Sequence, residues 1–343
     1  MKNKTNKILV VGDIHLRSEM AYSDILEDRR VPEKKEILDF IVESAKDCDK
    51  IVMLGDLFHN RTNSSELIRE IVEFLERFEG KELFILGGNH DKTSSGRTTL
   101  DFLSEIKNHS WHVVTDKLII IGDFDFLPYL IKPELKEKDY KKASKKLLEE
   151  MKGNKILFTH FAISGSETSS GAMSDLFDEV VLDRKELEKK YKLIIAGHIH
   201  QYNKLSKKTT VTGSIFCNEI GEHEKFIHKI DEETLEVERL KLPGRGIYKL
   251  TDPKEDEIAK IPKNSIVKVF ITKKEVDLEK LKKELEGFDG SLIIENLPSE
   301  RKKMQYADED ILGMEMEGLL DLYSKVKKVS LEKLKAGWDL IKN

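Results

Sequence analysis

Five short segments of the chain are apolar at every position, instead of alternating between apolar and polar residues. They are Ile8–Val11, Ile51–Leu54, Leu83–Leu86, Ile156–Phe158 and Leu193–Ala196. Strands that are buried on both faces of a sheet show this pattern, whereas a strand with one solvated face alternates. The pattern therefore predicts an α/β fold built around a central sheet.

Segments with apolar residues at helical spacing lie between these strands. The predicted helices are Pro32 to about Lys46, Ser64–Phe78, Thr98–Ile106, Pro133–Met151 and Asp183–Lys190. Proline is favoured in the first turn of a helix, and serine is favoured at the cap position. Pro32 therefore marks the start of the first helix, and Ser64 or Ser65 marks the start of the second.

Further β structure is predicted in three places. Trp111–Leu127 predicts two strands around a polar turn at Asp116-Lys117. Asp123 and Asp125 alternate in the second of these strands, and we expect them to be structural or turn residues. Thr209–Phe216 and Phe226–Leu242 predict hairpin strands that extend a second sheet and close an α/β sandwich.

The turn residues of Pro243-Gly-Arg-Gly246 predict a domain boundary. A strand, a helix and a strand are predicted beyond it, at 266–272, 277–286 and 291–295. From Asp308 the chain shows two amphipathic helices, which are too short to bury both apolar stripes by themselves. The predicted domains are 1–243, 246–300 and a helical tail at 301–343.

Polar residues follow the ends of the apolar segments. The groups are Gly12-Asp13-Ile14-His15, Gly55-Asp56, Gly87-Gly88-Asn89-His90-Asp91, His160 and Gly197-His198-Ile199-His200. In open α/β sheets the ligand crevice lies beyond the carboxyl ends of the strands. Residues i and i+2 of an extended segment point the same way. Asp13 and His15 can therefore face the crevice together, and so can His198 and His200. This arrangement predicts a metal site.

The mixture of carboxylate, imidazole and amide oxygen suits manganese, iron or zinc. The candidate ligands are Asp13, His15, Asp56, Asn89, His160, His198 and His200. This set is too large for one tetrahedral ion and suits two ions that share Asp56. Two ions roughly 3.5–4 Å apart are the usual arrangement for displacement at phosphorus. His90 is predicted to donate a proton, and Asp91 to lie behind the ligands and hold the His90 ring.

Composition leaves the substrate open. The chain has 343 residues, of which 36% are charged, and its formal net charge is −5. A protein that binds nucleic acid needs a basic contact surface, not a basic total charge. The lysine-rich stretches 141–146 and 204–208 are candidates for such a surface. A solvated helix face and a hairpin turn explain them equally well.

Other sequence features bear on the compartment. Cys48 and Cys217 form no C-x-x-C pattern, so we expect reduced cysteines and neither a disulfide nor a zinc site. The amino terminus is polar, and no apolar run approaches the roughly 20 residues that cross a bilayer. These features lead us to expect a cytoplasmic protein without a membrane partner.

The ordered series Asp-x-His, Gly-Asp, Gly-Asn-His-Asp, His and Gly-His-x-His resembles the signature of the calcineurin-like metallophosphoesterases. Four stretches are similar to the SbcD-type nucleases of double-strand-break repair: Gly55–His59, Leu127–Tyr129, Ala196–His200 and Thr212–Ile215. The resemblance covers roughly the first 245 residues. Protein phosphatases with a similar pattern usually carry Gly-Asn-His-Glu in place of Gly-Asn-His-Asp. A compact chain of this layout also resembles the recombination nucleases of large bacteriophages.

This resemblance implies a four-layer α/β/β/α sandwich with a small α+β capping domain and a helical carboxyl-terminal tail. It implies an enzyme that cleaves DNA ends in recombination and repair, as a duplex exonuclease and a single-strand endonuclease. The implied cofactors are two Mn²⁺ ions, with Mg²⁺, Fe²⁺ or Zn²⁺ as substitutes, and the nucleophile is a bridging hydroxide. His90 and His59 would be catalytic, with His59 orienting the substrate.

The resemblance also implies partners. These are DNA, an SMC-like coiled-coil ATPase of the SbcC type bound through the tail, and a second copy of the chain. The homodimer would use the helices at 64–78 and 98–106, although the apolar stripes of these helices also suit the core of a single chain. The tail helices could likewise pack on the capping domain.

Two other functions stay open at this point. A hydrolase of cyclic nucleotides or small phosphodiesters would need the same ligands but not the region after Gly246. A non-catalytic scaffold should have lost ligands, and the sequence lacks none of them. The segment Ser164–Ser174 is rich in serine, glycine and threonine, and it could be a lid over the cleft or a plain flexible connection.

Overall fold

Two mixed sheets stack on each other in the computed structural model. The structure describes residues 5–23, 26, 28–106, 110–271, 278–285, 288, 292–296 and 330. The strands of the first sheet are β1 (Lys7–Val11), β2 (Lys50–Met53), β3 (Glu82–Leu86), β4 (Trp111–Val114), β13 (Phe226–Asp231) and β14 (Val237–Lys241). Their order is β14-β13-β1-β2-β3-β4. The strands from β1 to β4 are parallel, and β13 pairs antiparallel with both β1 and β14.

The second sheet is built from the middle of the chain. Its strands are β5 (Ile119–Ile121), β6 (Phe124–Leu127), β7 (Ile156–Thr159), β10 (Leu193–Ala196), β11 (Asn203–Lys204) and β12 (Thr209–Val211). They run in the order β11-β12-β10-β7-β6-β5, with antiparallel strands at both edges and parallel strands between. A separate short pair joins β8 (Ala162–Ile163) to β9 (Val181–Leu182).

Helices lie along the outer faces of both sheets. They are α1 (Val31–Ser44), α2 (Ser65–Glu76), α3 (Asp101–Glu105), α4 (Lys132–Leu135), α5 (Tyr140–Glu150) and α6 (Arg184–Lys190), while α7 (Glu255–Ile258) and α8 (Leu278–Leu285) follow residue 246. The predicted positions of α1, α2 and α6 are confirmed. Ser64 caps α2 by accepting a hydrogen bond from the amide of Leu67. Asp183 caps α6 in the same way through Glu186.

Three apolar layers explain why the strands are apolar throughout. Alternate residues such as Val10 and Val52 face the second sheet, where the Phe84 and Phe126 rings stack with centroids 4.6 Å apart. The opposite faces pack against α1 to α3 on one side and α4 to α6 on the other. Each aliphatic side chain buried in this way contributes roughly 1.5–3 kcal/mol. The predicted four-layer α/β/β/α sandwich is therefore confirmed.

The structure corrects three predicted segments. The segment 111–127 holds three strands, and its Asp116-Lys117 turn carries the chain from the first sheet to the second. The hairpin β13–β14 extends the first sheet, because β13 pairs with the open edge of β1. The single helix predicted at 133–151 is two helices, since Lys136 has a left-handed backbone with φ 52° and Asp139 caps α5.

Beyond residue 246, β15 (Ile247–Thr251), β16 (Ile266–Ile271) and β17 (Leu292–Asn296) form a small sheet with β16 in the centre. The sequence pattern does not predict β15, which pairs parallel with β16. The predicted tail helices lie outside the described residues, and the domain boundary at 243–246 stays a prediction. Within the described part of the chain, no helix is long and apolar enough to cross a membrane.

Candidate metal centre

The predicted ligands gather at one edge of the sandwich, beyond the carboxyl ends of β1, β2, β3, β7 and β10. The loops after β1 and β2 are joined by a 2.7 Å hydrogen bond from the amide of His15 to the carbonyl of Asp56. The amide of His198 donates to the Asp13 carboxylate at 3.0 Å, which joins the second sheet to the first. Hydrogen bonds within the first sheet and between the two sheets therefore hold the loops of the site together.

Four of the side chains form a first group. The Nε2 atoms of His15 and His200 lie 2.8 Å apart. Asp13 Oδ2 is 4.0 Å from His200 Nε2, and Asp56 Oδ2 is 3.4 Å from His15 Nε2. Asp13, His15 and His200 have ligand atoms close enough together to bind one metal ion.

A second group shares Asp56 with the first. Asp56 Oδ2 is 3.3 Å from His160 Nε2. Asn89 Oδ1 lies 3.1 Å from the same His160 atom and 3.0 Å from His198 Nδ1. One carboxylate oxygen of Asp56 therefore lies between the two groups of candidate ligands.

The side chains converge for a different reason from the predicted one. An extended backbone was expected to point Asp13 and His15 the same way, and likewise His198 and His200. His15, Asp56 and His198 instead have left-handed backbones, with φ of 48°, 47° and 78°. Such conformations cost of order 1–3 kcal/mol each and persist where the surrounding structure enforces them.

The glycines of the site are required by close approach. At Gly88 a Cβ atom would lie 2.1 Å from Asp56 Oδ1, and at Gly12 it would lie 1.9 Å from the carbonyl oxygen of Gly213. Neither Gly87 nor Gly88 has a positive φ. Gly12 and Gly88 are therefore needed for space and not for a left-handed backbone.

The protonation of His160 fits a metal ligand. Its Nδ1 is 2.6 Å from the carbonyl oxygen of Leu54. A carbonyl only accepts hydrogen bonds, so Nδ1 carries a hydrogen, and Nε2 is the nitrogen that faces Asp56 and Asn89 and would give up its proton to a metal. Burial disfavours the charged imidazolium, yet the Asp56 and Asp13 carboxylates raise the pKa of His160 to about 10. The site thus attracts a cation, and its donors fit a divalent metal.

Other groups of the site agree with this. Burial raises the pKa of Asp56, but the His160 and His15 rings outweigh it and hold that pKa well below its usual range. Burial also lowers the pKa of His15, and its Nδ1 is buried without a hydrogen-bond partner among the described residues. An ionised carboxylate and a neutral imidazole are the forms that bind metals.

The chain matches the sequence model of the calcineurin-like phosphoesterases over residues 6–202. It belongs to this family. The phosphoesterase is therefore a metal-dependent hydrolase, and the groups around Asp56 are its candidate metal ligands. The comparison with curated proteins finds no match.

His90 and His59 of the phosphoesterase lie beside the candidate ligands. The His90 ring meets the His15 ring edge-on, with centroids 4.7 Å apart, and stacks on the His59 ring at 5.6 Å. His90 Nδ1 is 2.8 Å from the carbonyl oxygen of His59, so it carries the hydrogen of that bond. Both rings border an open cleft of 550 Å³.

Asp91 is fully buried, but it does not hold the His90 ring as predicted. Its carboxylate accepts hydrogen bonds from the amides of Gly88 at 3.0 Å and of Leu57 and Phe58 at 3.3 Å. It therefore fixes the loops after β2 and β3. Burial and the nearby Asp56 charge raise the pKa of Asp91 to about 7.

Sequence reasoning missed several residues that support the ligands. Glu179 Oε1 accepts a hydrogen bond from His198 Nε2 at 2.8 Å. The Tyr129 ring stacks on the His198 ring, with centroids 5.8 Å apart. The buried Lys225 donates to the carbonyl of His200 at 2.9 Å. The motif Leu127–Tyr129 marked Tyr129 in the sequence but did not show its role. No local pattern marks Glu179 or Lys225.

Proposed function

We propose that this phosphoesterase is a DNA nuclease that depends on manganese and processes DNA ends together with an SMC-like ATPase. The observation that carries the hydrolytic part is the position of Asp56 Oδ2 between the two ligand groups. The stretches Gly55–His59 and Ala196–His200, which are similar to SbcD-type nucleases, support DNA as the substrate.

The residues around Asp56 divide the chemistry among them. When bound, two divalent ions activate a water molecule and neutralise the phosphoryl oxygens. Asp13, His15 and His200 would hold one ion, and Asn89, His160 and His198 would hold the other. Asp56 fixes the spacing of the two groups through one oxygen. Its other oxygen accepts a hydrogen bond from the His90 amide at 2.7 Å, which fixes the loop that bears His90.

His90 is suited to protonate the leaving oxygen. Its Nδ1–H is committed to the carbonyl of His59, so the transferable proton is carried on Nε2.

His59 and Arg17 are suited to orient the phosphodiester. Burial and the adjacent positive charge of Arg17 lower the pKa of His59. The half-buried Arg17 is held in place by donating to Asn218 Oδ1 at 3.0 Å. Arg61 lines the same cleft as His59 and His90. The guanidinium groups of Arg17 and Arg61, together with the His59 ring, would contact phosphates on the substrate side of the metal centre.

Digestion of DNA with manganese tests the proposal. We expect 5′- or 3′-labelled linear duplex and single-stranded circles to be cleaved with a higher kcat/KM than bis(p-nitrophenyl) phosphate. His90→Asn should reduce the rate of cleavage by about 10²–10⁴-fold while keeping DNA affinity. His223→Asn is the control and should keep both the rate of cleavage and the affinity. Cleavage of the small ester without cleavage of DNA would instead support a hydrolase of small phosphodiesters.

A second variant separates orientation from chemistry. His59→Ser should spare single-strand endonuclease activity and reduce duplex exonuclease activity, since only the duplex must be oriented for cleavage from its end. Equal loss of both activities would contradict an orienting role for His59.

A further inference from the structure

The His198 ring is held by a hydrogen bond at one nitrogen and by an aromatic ring stacked on one face. Its Nε2 donates to Glu179 Oε1 at 2.8 Å, while its Nδ1 faces Asn89 Oδ1 at 3.0 Å. The stacked Tyr129 ring covers one face. An ionised carboxylate only accepts hydrogen bonds, so Glu179 selects the tautomer with the Nδ1 lone pair free for a ligand bond.

Glu179 belongs to residues 164–183, which we call the strap. Polar contacts hold the strap to the second sheet and the site. Asn203 exchanges two hydrogen bonds with the backbone of Glu167, at 3.0 and 2.9 Å. Ser169 donates to Glu219 Oε2 at 3.0 Å. Leu176 is 82% exposed. Val180 and Leu182 anchor the end of the strap in the core, whereas residues 167–173 are half-buried or exposed and are held by exposed hydrogen bonds, as is typical of the least stable parts of a fold.

We propose that Glu179 is a positioning residue that couples the strap to the metal. The proposal rests on the proposed metal-dependent function. Glu179 orients the His198 ring for the ion of the second ligand group. Because coupling between two equilibria is reciprocal, an ion bound through His198 must also stabilise the strap. The strap is thus part of the metal site and neither a free lid nor a plain connection.

Calorimetric titration with manganese, without DNA, tests whether Glu179 supports metal binding through His198. Glu179→Ala should lower the affinity for one of the two ions by about 10–100-fold, the usual effect of removing such a partner. The affinity for the other ion should change by no more than about twofold. Glu179→Gln keeps an acceptor oxygen and should lie between Glu179→Ala and the unaltered chain. Asp178→Ala removes the neighbouring exposed carboxylate and should leave both affinities unchanged.

Hydrogen exchange of the strap amides tests whether the bound ion stabilises the strap. Manganese should slow exchange at residues 164–178 in the unaltered chain and in Asp178→Ala, but not in Glu179→Ala. Unchanged affinity in Glu179→Ala, or equal weakening of both ions, would overturn the proposal. If Glu179→Ala does not fold, an unchanged affinity in Glu179→Gln would overturn it. A chain that binds two ions but cuts no DNA would refute the nuclease and leave this proposal standing.

Discussion

At the scale of single residues, we propose that Asp56 bridges a pair of ions. Its Oδ2 is 3.4 Å from His15 Nε2 and 3.3 Å from His160 Nε2. Asp56→Ala should therefore lower the manganese bound per chain, measured at equilibrium by elemental analysis. Asp123→Ala, which removes an exposed turn carboxylate, should bind as much as the unaltered chain. Unaltered stoichiometry in Asp56→Ala would refute the bridging role.

His228 gives a prediction on stability and pH. Both ring nitrogens are buried without a hydrogen-bond partner in the described part of the chain, and burial lowers the pKa of His228 to about 3. The unfolded chain, with a pKa of about 6.5, binds this proton more readily. The residue therefore destabilises the fold by up to about 1.4 kcal/mol for each pH unit below 6.5, down to about pH 3.

His228→Phe removes this titration and keeps a ring against Tyr202, on which His228 stacks with centroids 5.6 Å apart. We expect the variant to be more stable by about 1 kcal/mol at pH 7, since an unsatisfied buried polar group is removed. Urea unfolding at pH 5 should show a larger difference than at pH 7. A difference that does not change with pH would mean that His228 is not neutral in the fold.

These residues also show what the sequence can predict at this scale. The candidate ligands were predictable because residue type and position after an apolar strand both carry chemical meaning. Glu179 was not, since its contact with His198 depends on how the strap folds back. The left-handed backbone of His15 was likewise hidden, because histidine adopts that conformation in only a small minority of cases.

At the scale of elements, the break between α4 and α5 is encoded by Asp139. Its carboxylate accepts hydrogen bonds from the amides of Lys141 and Lys142, at 2.9 and 3.1 Å. Asp139→Ala should lower the free energy of unfolding by about 1 kcal/mol, the usual effect of losing such a cap. Lys138→Ala is the matched control, and equal unfolding midpoints for the two variants in urea would contradict the capping role.

The elements differ in how far the sequence predicts them. Strands buried on both faces are apolar throughout, so β1, β2, β3, β7 and β10 were predictable from the pattern alone. The sheet that each later strand joins was not. The hairpin β13–β14 would show the same pattern in either sheet, and only pairing with the open edge of β1 decides its place.

At the scale of the whole molecule, the sandwich carries every candidate ligand before Lys204, and the tail at 301–343 lies outside the described residues except for Ser330. The apolar positions of the tail lie at helical spacing on two segments too short to bury both stripes alone. They must pack on the chain itself or on a partner. Aromatic and aliphatic anchors such as Leu319, Tyr323, Leu334 and Trp338 are typical of a helix in a partner's groove.

Truncation after Pro298 distinguishes a tail that packs on its own chain from a tail that binds a partner. The shortened chain should keep manganese-dependent cleavage of single-stranded DNA, because the ligands and His90 all precede the cut. It should lose stimulation by the SMC-like ATPase and should no longer co-purify with it. The substitutions Tyr323→Ala and Trp338→Ala in the full chain should weaken the same association. A truncated chain that is insoluble, or that binds the ATPase with full affinity, would place the tail in this protein's own core.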